Sequence, residues 1–187
     1  MRDFLNYLID FDISSNRSAI DKNHNLLLFG VVVSAKPTKI LEFGVGMGFV
    51  TRALLAGIKY NGCGSLTSVD SCLDFYGIEP QHFLELRKLG ADIIISTEND
   101  FVKSQPEKSF DFLISDADHK SCYERLDETL KLLKNGSFIF FHDTNLPNLK
   151  SIATLLYNRG IISHQFDKST LPDERCERGL LMAVYRY

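Results

Sequence analysis

The sequence predicts a three-layer α/β fold: a mostly parallel sheet with helices on both faces, finished by an antiparallel hairpin. Three observations carry that expectation. Short, near-continuous apolar runs alternate with segments whose apolar positions recur at three- and four-residue spacing, the pattern of βαβ units. The first of these runs leads into three glycines, Gly44, Gly46 and Gly48, where a strand would turn into a helix. The last two apolar runs follow each other with no helical segment between them.

The elements follow in order. Residues 3–9 and 18–35 read as helices, the second ending near Ala35 because Pro37 disfavours helix just before it. Strands are expected at 38–43 (TKILEF), 65–69 (SLTSV), 91–96 (ADIIIS), 110–115 (FDFLIS) and 136–142 (GSFIFFH). Each is apolar almost throughout, as strands covered on both faces must be. Helical spacing marks 48–58, 80–89, 120–134 and 146–159, with Asn135-Gly136 read as a helix end and Pro147 as a helix first turn. The tail runs IISHQFD (161–167) and LLMAVYRY (180–187), joined by a charged loop, form the expected hairpin. The whole chain, 1–187, reads as one domain: N-terminal helices over 1–36 and an α/β core over 38–187.

Composition narrows the function. With 44% hydrophobic and 24% charged residues the chain is an ordinary globular one, and a net charge of -3 without a basic stripe gives no basis for nucleic-acid binding. No apolar run approaches the roughly 20 residues of a membrane span, and the N-terminus lacks the basic start of a signal peptide, so a cytoplasmic location is expected. Cys63, Cys72, Cys122 and Cys176 are too scattered to suggest zinc or a disulfide framework.

The segment ILEFGVGMG, 40–48, reads as a buried strand entering a glycine-rich turn that lets backbone approach a nucleoside cofactor. A dinucleotide turn is GxGxxG, but the position of its third glycine is Phe49, and Glu42 precedes the turn. A carboxylate there repels pyrophosphate and suits an ammonium group. Asp70 closes the second strand, where an acid can accept both ribose hydroxyls, although it could equally cap the next helix.

Together ILEFGVGMG and LTSVD resemble the first two motifs of S-adenosylmethionine-dependent methyltransferases with the Rossmann-like fold. The resemblance spans 38–187 and implies a seven-stranded sheet whose last strand is antiparallel. It also implies that Glu42, Gly44, Gly46 and Gly48 hold the methionine part and Asp70 the ribose. Thr97 to Asp100 would lie beside the adenine, with Glu98 and Asp100 both open as the acid involved.

A second set of residues sits at two later strand ends, SDADHK at 115–120 and FHDTN at 141–145. Adjacent parallel strands would bring Asp116, Asp118, His119, His142 and Asp143 to the carboxyl edge of the sheet, where open α/β folds bind ligands. Such crowding needs a shared proton or cation. The pairing resembles metal-dependent O-methyltransferases, in the branch with the macrolide-sugar and cephalosporin-pathway enzymes. That likeness implies Asp116 and Asp143 as ligands of Mg²⁺ or another divalent metal, with His142 as a third ligand. Asp116 would also face the cofactor. A histidine ligand favours Mn²⁺, Fe²⁺ or Zn²⁺ over Mg²⁺.

The implied chemistry is metal-assisted methyl transfer to a hydroxyl oxygen of a small molecule, sugars included, with His119 as base and Lys120 and His142 as alternatives. A metal-independent methyltransferase and a non-catalytic cofactor-binding module are the competing readings. No long insertion follows the fifth strand, so the candidate lids are the N-terminal helices and the loop at 165–179; a lid that short implies an open cleft or one completed by a neighbouring subunit, and a homo-oligomer is expected. His24, His82 and His164 read as solvated or structural.

Overall fold

A computed structural model describes residues 22–117, 124–146, 149, 151–166 and 179–186. Its first element is helix α1 (Lys22–Ala35). Strand β1 (Lys39–Phe43) and helix α2 (Phe49–Asn61) follow, then β2 (Ser65–Asp70) and α3 (Gln81–Lys88). Next come β3 (Ala91–Ile95), α4 (Glu98–Ser104), β4 (Phe110–Ser115) and α5 (Leu126–Lys131). The chain closes with β5 (Leu133–His142), α6 (Ile152–Tyr157), β6 (Ser163–Phe166) and β7 (Leu180–Val184).

The strands form one seven-stranded sheet in the order β3-β2-β1-β4-β5-β7-β6. Strands β1 to β5 are parallel, and β7 runs antiparallel between β5 and β6. The expected Rossmann-like sheet and closing hairpin are both present. The order reverses between β1 and β4, whose chains continue to opposite sides, and a crevice opens at their carboxyl ends.

Alternation along each strand builds two cores. Ile40, Phe112, Ile114, Phe140 and Leu180 join α1, α2 and α3 on one face. Leu41, Leu113, Ile139, Phe141 and Leu181 join α4, α5 and α6 on the other. Neighbouring residues of one strand thus serve opposite layers, which is why the strands read as unbroken apolar runs. Among the described residues no helix is long and apolar enough to cross a membrane.

Three readings change. The expected helix end at Asn135-Gly136 lies inside β5, because α5 stops at Lys131, whose carbonyl accepts from Lys108 N at 2.8 Å, and Leu132 O accepts from Phe110 N at 3.0 Å. The sheet captures the chain early. Gly136, at φ 89°, then serves an irregularity where the register shifts between Phe110 and Phe112. The second change is α4, a helix where the sequence suggests only a cofactor-side segment. The third is α6, shorter than the helix expected at 146–159. Pro147, the helix at 3–9 and the start of that at 18–35 lie outside the described residues, as do Asp118, His119 and Lys120.

Helix α1 sits on α2 through one tight contact. A Cβ added at Gly57 would stand 2.5 Å from Val32 Cγ1 and 2.8 Å from Val32 Cβ. Valine is stiff at χ1 and its Cβ moves only with the backbone. Alanine is the better helix former by about 1 kcal/mol, yet Gly57→Ala is expected to destabilise the protein by about 1 to 3 kcal/mol through overpacking. Denaturant unfolding of Gly57→Ala, Val32→Ala and the double variant checks this. The double variant should lose less than the two single losses combined, and simple additivity would remove the contact as the cause.

Candidate active site at the carboxyl edge of the sheet

The glycine turn is built by its neighbours. Gly44, Gly46 and Gly48 all have positive φ, 86°, 48° and 78°. At Gly44 the reason is steric as well as torsional: a Cβ would lie 2.4 Å from the Asp116 carbonyl oxygen. Backbone there meets backbone. Asp116 N donates to Phe43 O at 2.8 Å and Gly44 N to Val69 O at 2.9 Å, so the ends of β4, β1 and β2 are tied together at one point.

Asp70 organises the turn. Its Oδ2 accepts from Val45 N at 2.8 Å and Gly46 N at 3.0 Å, and its Oδ1 accepts from Cys72 N at 2.6 Å. The amides that a dinucleotide turn would aim at pyrophosphate are therefore satisfied by a side chain. From the other side His82 Nε2 lies 2.8 Å from Gly46 O, so the structural reading of that histidine gains a specific partner.

Glu42 is fully buried and stands outside the cavity wall. Both of its oxygens accept from Thr51 Oγ1, at 3.0 and 2.9 Å, and Ser68 Oγ also bonds to it. Loss of hydration pushes its pKa up to about 8, the two hydroxyls opposing the shift and Asp116 and Asp70 adding to it. Around neutral pH it is mostly uncharged, so it braces β1, β2 and α2 instead of offering the ligand a charge.

A cavity of about 480 Å³ opens above the turn. Gly44, Asp70, Ser96 to Glu98, Asp116, Ala117 and Arg125 are among the residues that line it. Its size is in the range of small-molecule sites. Of the two acids left open on the TEND segment, Glu98 lies in the wall and is 8% exposed. Asp100 is exposed and belongs to the α4 cap: Thr97 Oγ1 accepts from Asp100 N at 3.1 Å and donates to Asp100 Oδ2 at 2.7 Å.

The second constellation assembles beside this cavity. His142 Nδ1 lies 2.9 Å from Asp116 Oδ1 and 3.3 Å from Asp143 Oδ1, and one ligand atom from each residue fits within 4.8 Å of the others. Ligands about 2.1 Å from one cation stand roughly 3 to 4 Å apart. Two carboxylates and an imidazole gathered at this range are a donor set that could hold a divalent ion. Asp143 adopts φ 57°, a left-handed conformation that aspartate tolerates better than most residues, and the turn after it is held by Thr144 N donating to Gly179 O at 3.1 Å.

Sequence reasoning missed Arg125 and gave His24 and His82 no partners. His24, on α1, packs edge-on against His142 with ring centroids 5.4 Å apart. Arg125 enters the cavity wall and pairs with Glu98 at 2.6 Å. His82 clamps the turn. Each acts across at least 27 residues of chain, and none sits in a motif, so only a helix-face argument for His24 offered any signal.

The Glu42 environment sets a pH dependence. Its folded pKa stands above its unfolded value of 4.5, so its stabilising contribution is complete below about pH 4.5 and is lost as pH rises through about 8. The isosteric Glu42→Gln removes the titration. Thermal melts between about pH 5 and pH 9 should show the wild-type Tm falling relative to that of the variant. Parallel curves would remove Glu42 as a buried neutral acid.

Comparison with known proteins agrees with this architecture. Residues 41–144 match the family described as a methyltransferase domain. No curated protein matches the chain. An O-methyltransferase from Bacillus cereus, solved with S-adenosylhomocysteine, superposes with a TM-score of 0.76 at 16% identity, covering 98% of this chain and 91% of its own. TomG from Streptomyces achromogenes, an O-methyltransferase of tomaymycin synthesis solved with S-adenosylmethionine, gives 0.73 at 15% identity, with 90% and 82% covered. The Podospora anserina methyltransferase PaMTH1, solved with S-adenosylhomocysteine, gives 0.65 at 15% identity, with 100% and 87% covered. These likenesses are of fold, and because the matched family segment spans more than half of the 187 residues, the chain belongs to the methyltransferase domain family.

Proposed function

We propose that this protein transfers the methyl group of S-adenosylmethionine to a hydroxyl oxygen of a small molecule, assisted by a divalent metal. One observation carries the reading: Asp116 belongs both to the cavity wall and to the acid and histidine cluster. A methyl donor in the cavity and a hydroxyl brought to the cluster would meet across that residue. Proximity of this kind is the main need of an in-line displacement.

In this reading Gly44, Gly46 and Gly48 admit the methionine part, while Asp70 fixes the turn and turns its remaining lone pairs toward the ribose. Glu98 faces the base. Glu42 and Asp100 support the site from behind, through the strands and the α4 cap. Asp116, His142 and Asp143 would hold the cation, which when bound supplies positive charge that lowers the pKa of the acceptor hydroxyl. His119, two residues past Ala117 in the cavity wall, accepts the hydroxyl proton. The turn amides already engaged by Asp70 speak against a dinucleotide-dependent oxidoreductase.

A metal-free reading has one supporting observation, the 2.9 Å approach of Asp116 to His142, which resembles a carboxylate orienting a histidine base. His142 is fully buried, which leaves it little access to a substrate.

Calorimetric titration with S-adenosylmethionine is the first test, and absence of binding at millimolar ligand would sink the proposal. A screen of hydroxylated metabolites, sugars included, for S-adenosylhomocysteine release should show activity abolished by EDTA and restored by Mn²⁺ or Mg²⁺. Activity untouched by EDTA would select the metal-free reading. With an acceptor in hand, His119→Ala should lower kcat about 10²- to 10⁴-fold with cofactor affinity unchanged. Unchanged kcat would remove His119 as base.

A further inference from the structure

Two side chains of α3 reach the glycine turn from behind, and neither belongs to a motif. His82 and Leu86 stand four residues apart, on one face of the helix. A Cβ added at Gly48 would lie 2.6 Å from Leu86 Cδ1, so α3 packs directly against the turn. His82 Nε2 lies 2.8 Å from Gly46 O. A carbonyl oxygen can only accept, so this nitrogen carries a proton and donates it to the bond. The ring is itself held edge-on against Phe75 and Phe83, at centroid distances of 5.8 and 5.0 Å.

This bond completes a set. Asp70 Oδ2 holds the Val45 and Gly46 amides from the end of β2, and His82 holds the following peptide by its carbonyl. Gly46 thus has its N–H tied to one element and its C=O to another. Nothing lies within 4 Å of where its Cβ would stand, so no packing at that position defines its conformation of φ 48°. Glycine has the most backbone freedom to lose, and a turn built on three of them retains one shape only through bonds from outside. Phe75 also belongs to the stretch after β2 whose Ser71, Leu73 and Asp74 line the cavity, so His82 links the turn to that part of the wall.

We propose that His82 is a positioning residue for the cofactor: it fixes the Gly46 peptide and so keeps the glycine turn in the one shape that admits the ligand. His82 is not among the residues that line the cavity, and its effect reaches a ligand through the turn. The inference rests on the reading of the cavity as a nucleoside cofactor site. A turn that visits other shapes binds with an affinity reduced by the fraction of time spent in the competent one.

Calorimetric titration with S-adenosylhomocysteine compares the wild type, His82→Gln, His82→Phe and His82→Ala, and amide hydrogen exchange followed by NMR reads the turn in the same proteins without ligand. His82→Phe retains a ring against Phe75 and Phe83 but has no donor. It and His82→Ala should weaken binding by about three- to tenfold, the effect of one hydrogen bond lost from the competent shape. His82→Gln, whose side-chain amide can place an N–H near the position of Nε2, should recover most of that loss. In His82→Phe the Val45 and Gly46 amides should exchange faster than in the wild type, while the Asp116 amide, bonded to Phe43 O, is unchanged. If His82→Phe binds as tightly as the wild type, or His82→Gln binds no better than His82→Phe, the hydrogen bond does not set the affinity and the proposal is overturned. Exchange that rises equally at Val45, Gly46 and Asp116 marks a general loss of stability and overturns it too. A wild type that binds no S-adenosylhomocysteine overturns the cofactor reading itself, and this role with it. Should melting curves show His82→Ala unfolded, His82→Gln and His82→Phe decide.

Discussion

The site depends on one backbone contact, the approach of Gly44 to the carbonyl of Asp116. Any side chain at position 44 would lie 2.4 Å from that oxygen, and any residue but glycine would also resist φ 86°. With the hydrogen bond from Asp116 N to Phe43 O, it locks the ends of β1 and β4 where the strand order reverses. The glycine turn leaves from one strand and Asp116, the member of the acid cluster nearest the cavity, from the other. Pushing these strand ends apart would separate the two halves of the site.

Close approach brings several acids together, and the structure gives each different surroundings. Glu42, without water, retains a proton near neutral pH. Asp70 is surrounded by three backbone amides. Asp116 is set against His142, and Glu98 against Arg125. Glu42 braces the strands from behind, whereas Asp70, Asp116 and Glu98 line the cavity. The division follows burial: the acid that lost all water became a brace, and those at the wall retained polar partners.

Much of the fold was legible because its strands are covered on both faces. Runs such as KILEF and FDFLIS have no other stable place than a central sheet, and the lack of helical spacing in the sequence between IISHQFD and LLMAVYRY announced the antiparallel hairpin. Local chemistry misled at Asn135-Gly136, where a good helix-stop signal serves a strand irregularity because edge hydrogen bonds capture the chain first. At the site, residue types in motifs were legible and their roles were less so. The motif presents Glu42 as a charge beside the ligand, since nothing in the sequence reveals that Thr51 and Ser68 enclose it. Arg125 and His24 arrive through tertiary packing alone, which periodicity and spacing do not encode.

The central claim is that methyl donor and cation occupy neighbouring sites joined at Asp116. Paramagnetic broadening tests it most directly: S-adenosylmethionine carrying a ¹³C S-methyl group is bound to the protein, and its resonance is followed as Mn²⁺ is added. The account expects the bound methyl signal to broaden beyond detection at stoichiometric Mn²⁺ and to return with EDTA, with no such broadening in Asp116→Asn. A sharp methyl signal at saturating Mn²⁺, with the cofactor demonstrably bound, would contradict it.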